Sequence, residues 1–179
     1  MRGVFAKRYA QALFSLGVDD NQAQEYGQEI RDFWASLQGA GADGALLYSP
    51  AYPKEARGQA LNAVLAKAGL SPLVSDFLRL LHLRGRLGSL GEIGVAYARL
   101  LDDAAGLTRG ILTVPGPLAE SQIEALKSAL GTLVGRKVEF KVEEDPAIIG
   151  GVVAKLGDLV VDGSLRSRLD RLSALLGTV

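Results

Sequence analysis

The stretch Glu143–Leu172, EEDPAIIGGVVAKLGDLVVDGSLRSRLDRL, decides how the second half of the chain is read. Gly150 and Gly151 stand between two β-branched pairs, Ile148-Ile149 and Val152-Val153. Asp145-Pro146 precede them and Asp162-Gly163-Ser164 follow. Paired glycines near carboxylates and a serine suit either a ligand loop or a piece of architecture. A phosphate loop needs Gly-x-x-x-x-Gly-Lys-Ser/Thr and a dinucleotide fold needs Gly-x-Gly-x-x-Gly. Neither pattern occurs here. The β-branched pairs favour strand, and glycines inside such a run imply a bulge or a close approach of another backbone. Val152–Leu156 and Leu159–Val161 then form a hairpin across Gly157-Asp158, where glycine supplies a positive φ cheaply. Asp162 or Ser164 caps a final helix, whose apolar stripe is Leu165, Leu169, Leu172 and Leu176.

Upstream of this stretch the pattern stays mixed as far back as Gly106. GILTVPG reads as a strand and PLAESQIEALKSALGTLVG as a helix. KVEFKVEE alternates Val138, Phe140 and Val142 against Glu139, Lys141 and Glu143, the period of a half-buried strand. Before Gly106 the chain is helical throughout. Helices are expected over residues 3–17, 20–38, 44–48, 53–68, 71–87 and 89–105. Asp20 or Asn21 is the expected N-cap of the second, and Ser71 that of the fifth with Pro72 following. The predicted fold is therefore an N-terminal six-helix bundle, residues 1–106, followed by a small mixed α/β domain with two helices, residues 109–179.

Composition narrows the function. Of 179 residues, 48% are hydrophobic and 22% charged, a globular balance. Cysteine is absent, which removes disulfide and thiolate chemistry, and a single histidine, His82, leaves a zinc site short of its usual ligands. No metal site and no cofactor are expected. Asp145, Asp158 and Asp162 suggest turn and cap roles before a metal cluster. Each half of the chain, divided at residue 108, carries equal numbers of acidic and basic residues, 11 of each and then 9 of each. Neither half has the basic footprint of a nucleic-acid module. No apolar run reaches the roughly 18 residues that span a bilayer, and Lys7, Arg8 and Gln11 interrupt any signal-peptide core.

Two helices carry more apolar surface than one packing stripe needs. On the first, Phe5, Ala6, Tyr9, Ala10, Ala12, Leu13, Phe14 and Leu16 occupy about 200° of the wheel, against the roughly 100° of an ordinary surface helix. On the fifth, Leu73, Val74, Phe77, Leu78, Leu80 and Leu81 cover about 160°, and His82, Ser75, Arg79 and Arg86 are expected on the solvated side. A central place in the bundle or a face left open for a partner helix explains the excess. Trp34 fits the core stripe of the second helix.

The order of residues also resembles a family. Asp145, Ile149, Gly150, Gly151, Gly157, Asp158, Asp162, Gly163, Ser164, Arg168 and Leu169 match the C-terminal signature of the delta subunit of F-type ATP synthases and its mitochondrial counterpart, the oligomycin sensitivity-conferral protein. FAKRYAQALF (Phe5–Phe14) is similar to the family's opening helix, and FLRLLHLRGRLGSLGEI (Phe77–Ile93) to its fifth-helix stretch. Gly17 stands where alanine is more usual, which implies an early end to the first helix. The resemblance implies a non-catalytic stator subunit that joins the alpha subunits of the catalytic head to b-type subunits of the peripheral stalk. It would be membrane-associated only through that complex, on the cytoplasmic face of a bacterial plasma membrane. An N-terminal alpha helix would dock between the first and fifth helices, on Tyr9, Ala12, Leu16, Leu73, Phe77 and Leu80, at the edges of the two stripes. The basic residues Arg166, Arg168 and Arg171 would flank the stalk contact. Asp145, Gly150, Gly151, Asp162, Gly163 and Ser164 would be structural. A generic helical adaptor, or a small enzyme using the C-domain carboxylates, are the alternatives.

Overall fold

The computed structural model describes residues 2–157, 159–165 and 167. The chain divides into two compact units between Leu101 and Asp102. Six α-helices come first: α1 (Arg2–Asp19), α2 (Ala23–Gly39), α3 (Ala42–Leu46), α4 (Lys54–Ala68), α5 (Pro72–Leu83) and α6 (Leu90–Ala104), with a 3-10 turn at Leu87–Ser89. A mixed segment follows: β1 (Leu107–Val114), α7 (Glu120–Val134), β2 (Lys137–Glu144), β3 (Val153–Leu156) and β4 (Leu159–Asp162). The expected helical bundle and mixed sheet are both present. The final helix stripe at Leu169, Leu172 and Leu176 lies outside the described residues, as do Asp158, Arg166, Arg168 and Arg171.

The bundle core is built from apolar residues recurring at helical spacing. Leu13, Ile30, Leu61, Leu78, Leu81, Leu90, Ile93 and Tyr97 are all buried to within a percent or so. Trp34 is half-buried and packs against this cluster beside Tyr48.

Gly17 does not end α1, which continues to Asp19. A Cβ at Gly17 would lie 2.9 Å from the Cα of Ala23 and 2.9 Å from the Tyr97 hydroxyl. Its lack of a side chain lets α1 approach α2 and α6, which outweighs the ~1 kcal/mol helix penalty of glycine. The expected caps also differ. Only three residues join α1 to α2, so Asn21 reverses the chain with φ of 57° and Gln22 takes the N-cap position without a side-chain capping bond, its Oε1 accepting the Tyr26 hydroxyl at 2.9 Å. Asp20 instead accepts the Tyr26 hydroxyl at 2.9 Å. Ser71 precedes α5 as expected but caps nothing: its hydroxyl and its N–H both donate to Glu29 of α2, at 2.7 and 3.0 Å.

Tyr97 ties three helices. Its hydroxyl donates to the Ala23 carbonyl at 2.8 Å and its ring meets Phe14 edge-on, centroids 5.8 Å apart. Burial, with Tyr26 nearby, pushes its pKa from 10.0 up to about 12. Below pH 10 the phenol is protonated in both folded and unfolded chains. Above it the unfolded chain ionises first, so stability is lost as pH rises from 10 towards 12. Tyr97→Phe is expected to cost about 1 kcal/mol at neutral pH, the value of one hydrogen bond, and to make the alkaline loss shallower. Thermal melts between neutral pH and pH 11 check both.

In the second unit the sheet order is β2-β1-β3-β4. β1 and β2 pair in parallel, with α7 as the crossover. β1–β3 and β3–β4 are antiparallel. Register places Leu112, Val142 and Ala154 side by side, and Gly110, Phe140 and Leu156 in the next row. Leu112, Ala154, Phe140 and Leu156 of this face pack with Leu126, Leu130 and Val134 of α7, while Val142 on the edge strand is exposed. Residues one step out of phase, such as Arg109, Glu139, Lys141 and Lys155, are exposed, which is the alternation the sequence displays. The N-terminus of α7 lacks a side-chain oxygen at Ala119. The Gln122 side chain accepts the Ala119 N–H at 3.0 Å instead, one half of a capping box.

Candidate partner-binding surface

The glycine pair has an architectural role. Gly150 and Gly151 lie before β3, not inside a strand, and Ile149 beside them is 76% exposed. The Gly150 carbonyl accepts the Leu165 N–H at 2.9 Å, and the Val152 carbonyl accepts the Gly163 N–H at 2.9 Å. A Cβ at Gly150 would fall 2.8 Å from Leu165 Cδ1. Gly151 has φ of 87°, and a Cβ there would overlap the Gly163 carbonyl oxygen. Of the two expectations, bulge or close approach, the second holds: the Gly-Gly and Asp-Gly-Ser segments touch backbone to backbone.

The carboxylates serve the same architecture. Asp145 accepts the Ala147 N–H at 2.9 Å, and its own N–H donates to the Val114 carbonyl at 2.8 Å. Asp162 accepts the Ser164 N–H at 2.9 Å and the Ser167 hydroxyl. Ser164 is buried, and its Oγ accepts the Ser167 N–H at 3.3 Å, the capping contact expected at the start of the last helix. These polar atoms satisfy turns and a helix start rather than converge on a reacting atom. Among the described residues no group of three or more metal-ligating side chains forms.

His82 is not on a solvated side. It is 7% exposed, because Gly58 of α4 lets that helix pass close: a Cβ at Gly58 would lie 3.0 Å from His82 Nε2. The wheel of α5 alone could not register a neighbour made possible by a glycine 24 positions earlier. The two helices leave a cavity of about 440 Å³ there, lined also by Lys54, Asn62 and Arg79.

The excess apolar faces of α1 and α5 lie against each other. The Tyr9 and Phe77 rings meet edge to face, 6.3 Å between centroids. The Arg86 guanidinium stacks 3.8 Å over the Phe5 ring. Arg86 lies three residues beyond the end of α5, in the turn that leads to Leu87–Ser89. Of the six residues expected at the stripe edges, Ala12, Leu16 and Leu80 are exposed, the last two at 48% and 41%. Tyr9 and Leu73 are half-buried against the core. Phe77 is not an edge residue that the bundle could spare: it is 9% exposed and forms the floor under Tyr9. Phe5, 38% exposed, extends the open strip, whereas Leu83, 62% exposed, lines the cavity between α4 and α5. Helical spacing carried the signal for Phe5, one turn before Tyr9.

Comparison with known proteins settles what kind of molecule carries this surface. The family model for the ATP synthase delta (OSCP) subunit matches residues 5–176. The chain belongs to the ATP synthase delta (OSCP) subunit family. It is 42% identical over 171 residues to ATP synthase subunit delta of Geobacter metallireducens, covering 96% of this chain and 95% of that one. The delta subunit of Desulfatibacillum aliphaticivorans is 39% identical over 172 residues, covering 96% and 93%. A chain in the cryo-EM structure of the Toxoplasma gondii mitochondrial ATP synthase hexamer shares the fold, with a TM-score of 0.66 at 22% identity, covering 97% of this chain and 98% of that one. This delta-family chain is a non-catalytic stator subunit of the F-type ATP synthase, linking the alpha subunits to the peripheral stalk. It is a component of a membrane-associated complex, although among the described residues no helix is long and apolar enough to cross a membrane.

Proposed function

We propose that the groove between α1 and α5 receives the N-terminal helix of an alpha subunit, and that the second unit holds b-type subunits of the peripheral stalk. The observation that carries the first half is the open apolar strip formed by Phe5, Ala12 and Leu16 on one helix and Leu80 on the other. Such a strip suits an amphipathic helix laid into a groove. Tyr9, Leu73 and Phe77 form its floor. The stalk contact involves Arg166, Arg168 and Arg171, which alternate with leucines and other residues in the C-terminal sequence; arginine suits ion pairs with a charged helical stalk. The subunit works at the cytoplasmic face of a bacterial plasma membrane, held there by the complex. Joining head to stalk demands broad apolar contact rather than titrating side chains.

Site-specific photo-cross-linking in the assembled ATP synthase tests this division. A photoreactive residue at Leu16 or Leu80 is expected to capture an alpha subunit near its N-terminus. One at Leu165, which is 47% exposed, is expected to capture a b-type subunit. Capture of the stalk from Leu16, or of alpha from Leu165, overturns the assignment.

A further inference from the structure

The cavity between α4 and α5 holds a buried polar side chain that the bundle leaves unused. His82 is 7% exposed, yet among the described residues no hydrogen bond or ion pair engages its ring. Buried polar groups are ordinarily paired, and an exception calls for a reason. Its nitrogens are not sealed in: among the described residues, Arg57 Nε is the one fully enclosed side-chain polar atom without a partner. The space beside the ring is the cavity of about 440 Å³ that His82 lines. Nε2 faces the bare backbone of Gly58, where a Cβ would stand 3.0 Å away. Glycine inside a helix is about 1 kcal/mol less favourable than alanine, so the opening beside the imidazole is kept against helix propensity.

The rest of the lining has a consistent chemistry. Leu61 and Leu83 supply apolar wall, and Lys54 and Arg79 set two cations against one carboxylate, Glu55. Both cations are held in place with donors to spare. Lys54 Nζ donates to the Leu83 carbonyl at 2.9 Å, one of the three hydrogen bonds an ammonium can give. Arg79 donates from Nε to Asn62 Oδ1 at 3.1 Å and from Nη1 to Asp76 at 2.7 Å, which leaves Nη2. An imidazole carries an N–H to donate whether the ring is charged or not. The cavity volume falls within the roughly 300–1,000 Å³ of small-molecule sites, which are mostly apolar with a few placed polar groups.

We propose that this cavity binds a small carboxylate with an aliphatic chain. Its carboxylate is met by His82, Lys54 and Arg79, and its chain lies along Leu61 and Leu83. A phosphate monoester suits the site less, because it carries close to two negative charges at neutral pH. Glu55 lines the same cavity, and Asp76 already pairs with Arg79. An amine of the same length meets two cations. The site is separate from the groove between α1 and α5, so it stands or falls independently of that reading.

The lone histidine makes the test direct, since the imidazole signals of the full 179-residue chain belong to His82 alone. Hexanoate is titrated at fixed pH and followed by NMR of that ring, with saturable shifts expected. Acetate, lacking the chain, is expected to bind roughly tenfold more weakly or worse, because each buried methylene adds affinity. Hexylamine and hexyl phosphate are expected to fall behind hexanoate by a similar factor. Absence of a saturable shift with hexanoate overturns the proposal, and so does equal binding of acetate, hexylamine or hexyl phosphate. Lys54→Gln combined with Arg79→Gln is expected to weaken hexanoate roughly tenfold with little change in thermal stability, since both side chains are exposed. Gly58→Ala, which places a Cβ against Nε2, is expected to remove binding from a chain that stays folded. Wild-type affinity in either variant overturns the site.

Discussion

Ala12→Asp and Leu80→Asp are each expected to lower affinity for the alpha N-terminal helix by at least about 100-fold, with little change in thermal stability. An apolar helix docked over either position would bury an unpaired carboxylate, which costs several kcal/mol. At about 1.4 kcal/mol per decade, two decades are a conservative estimate. The fold should tolerate both changes because both side chains are exposed in the free chain. Phe77→Asp is a contrasting control. At 9% exposure beneath Tyr9, it should unfold the bundle outright and so report on stability rather than on binding. Calorimetric titration of the peptide alongside circular dichroism melts separates these outcomes. Wild-type affinity in both exposed-site variants would sink the groove assignment. Unfolding of both would return Ala12 and Leu80 to the core.

Gly151→Val should unfold or severely weaken the second unit, at a cost of about 2–6 kcal/mol. Two effects add. A β-branched residue held at φ of 87° is strained by about 1–3 kcal/mol, and its Cβ would overlap the Gly163 carbonyl, displacing backbone at a further 1–3 kcal/mol. Gly150→Val should cost less, because the atom in its way is Leu165 Cδ1, the end of a side chain that can turn aside. Denaturant unfolding followed by hydrogen exchange should show early opening at β3 and β4, while amides of α1 to α6 keep their protection. Binding to the alpha peptide should survive, since the groove residues all belong to the first unit. Loss of alpha binding with a fully folded second unit would make the glycines a contact site after all.

Periodicity along the chain was enough to separate the two kinds of fold. Apolar residues at helical spacing up to Ala104 and alternation in KVEFKVEE are local properties of the backbone they occupy, so they can be read without neighbours. The glycine punctuation was legible for the same reason. Gly157 closes the β3–β4 hairpin with φ of 58°, as a tight turn there requires. The excess apolar width of α1 and α5 was legible too, because a helix wheel counts apolar residues on every face.

Which part of that excess stays open was decided by tertiary packing. Phe77 and Leu80 both lie on the apolar stripe of α5, yet one is floor and the other rim, because Tyr9 covers the first and nothing in the first unit covers the second. His82 shows the same dependence, buried only because Gly58 on another helix leaves room. Gly17 reads as a helix stop, but it proves to be a contact point where Tyr97 and Ala23 would meet any larger residue. A wheel assigns a residue to a face of its own helix; only the packing of other helices determines what that face meets.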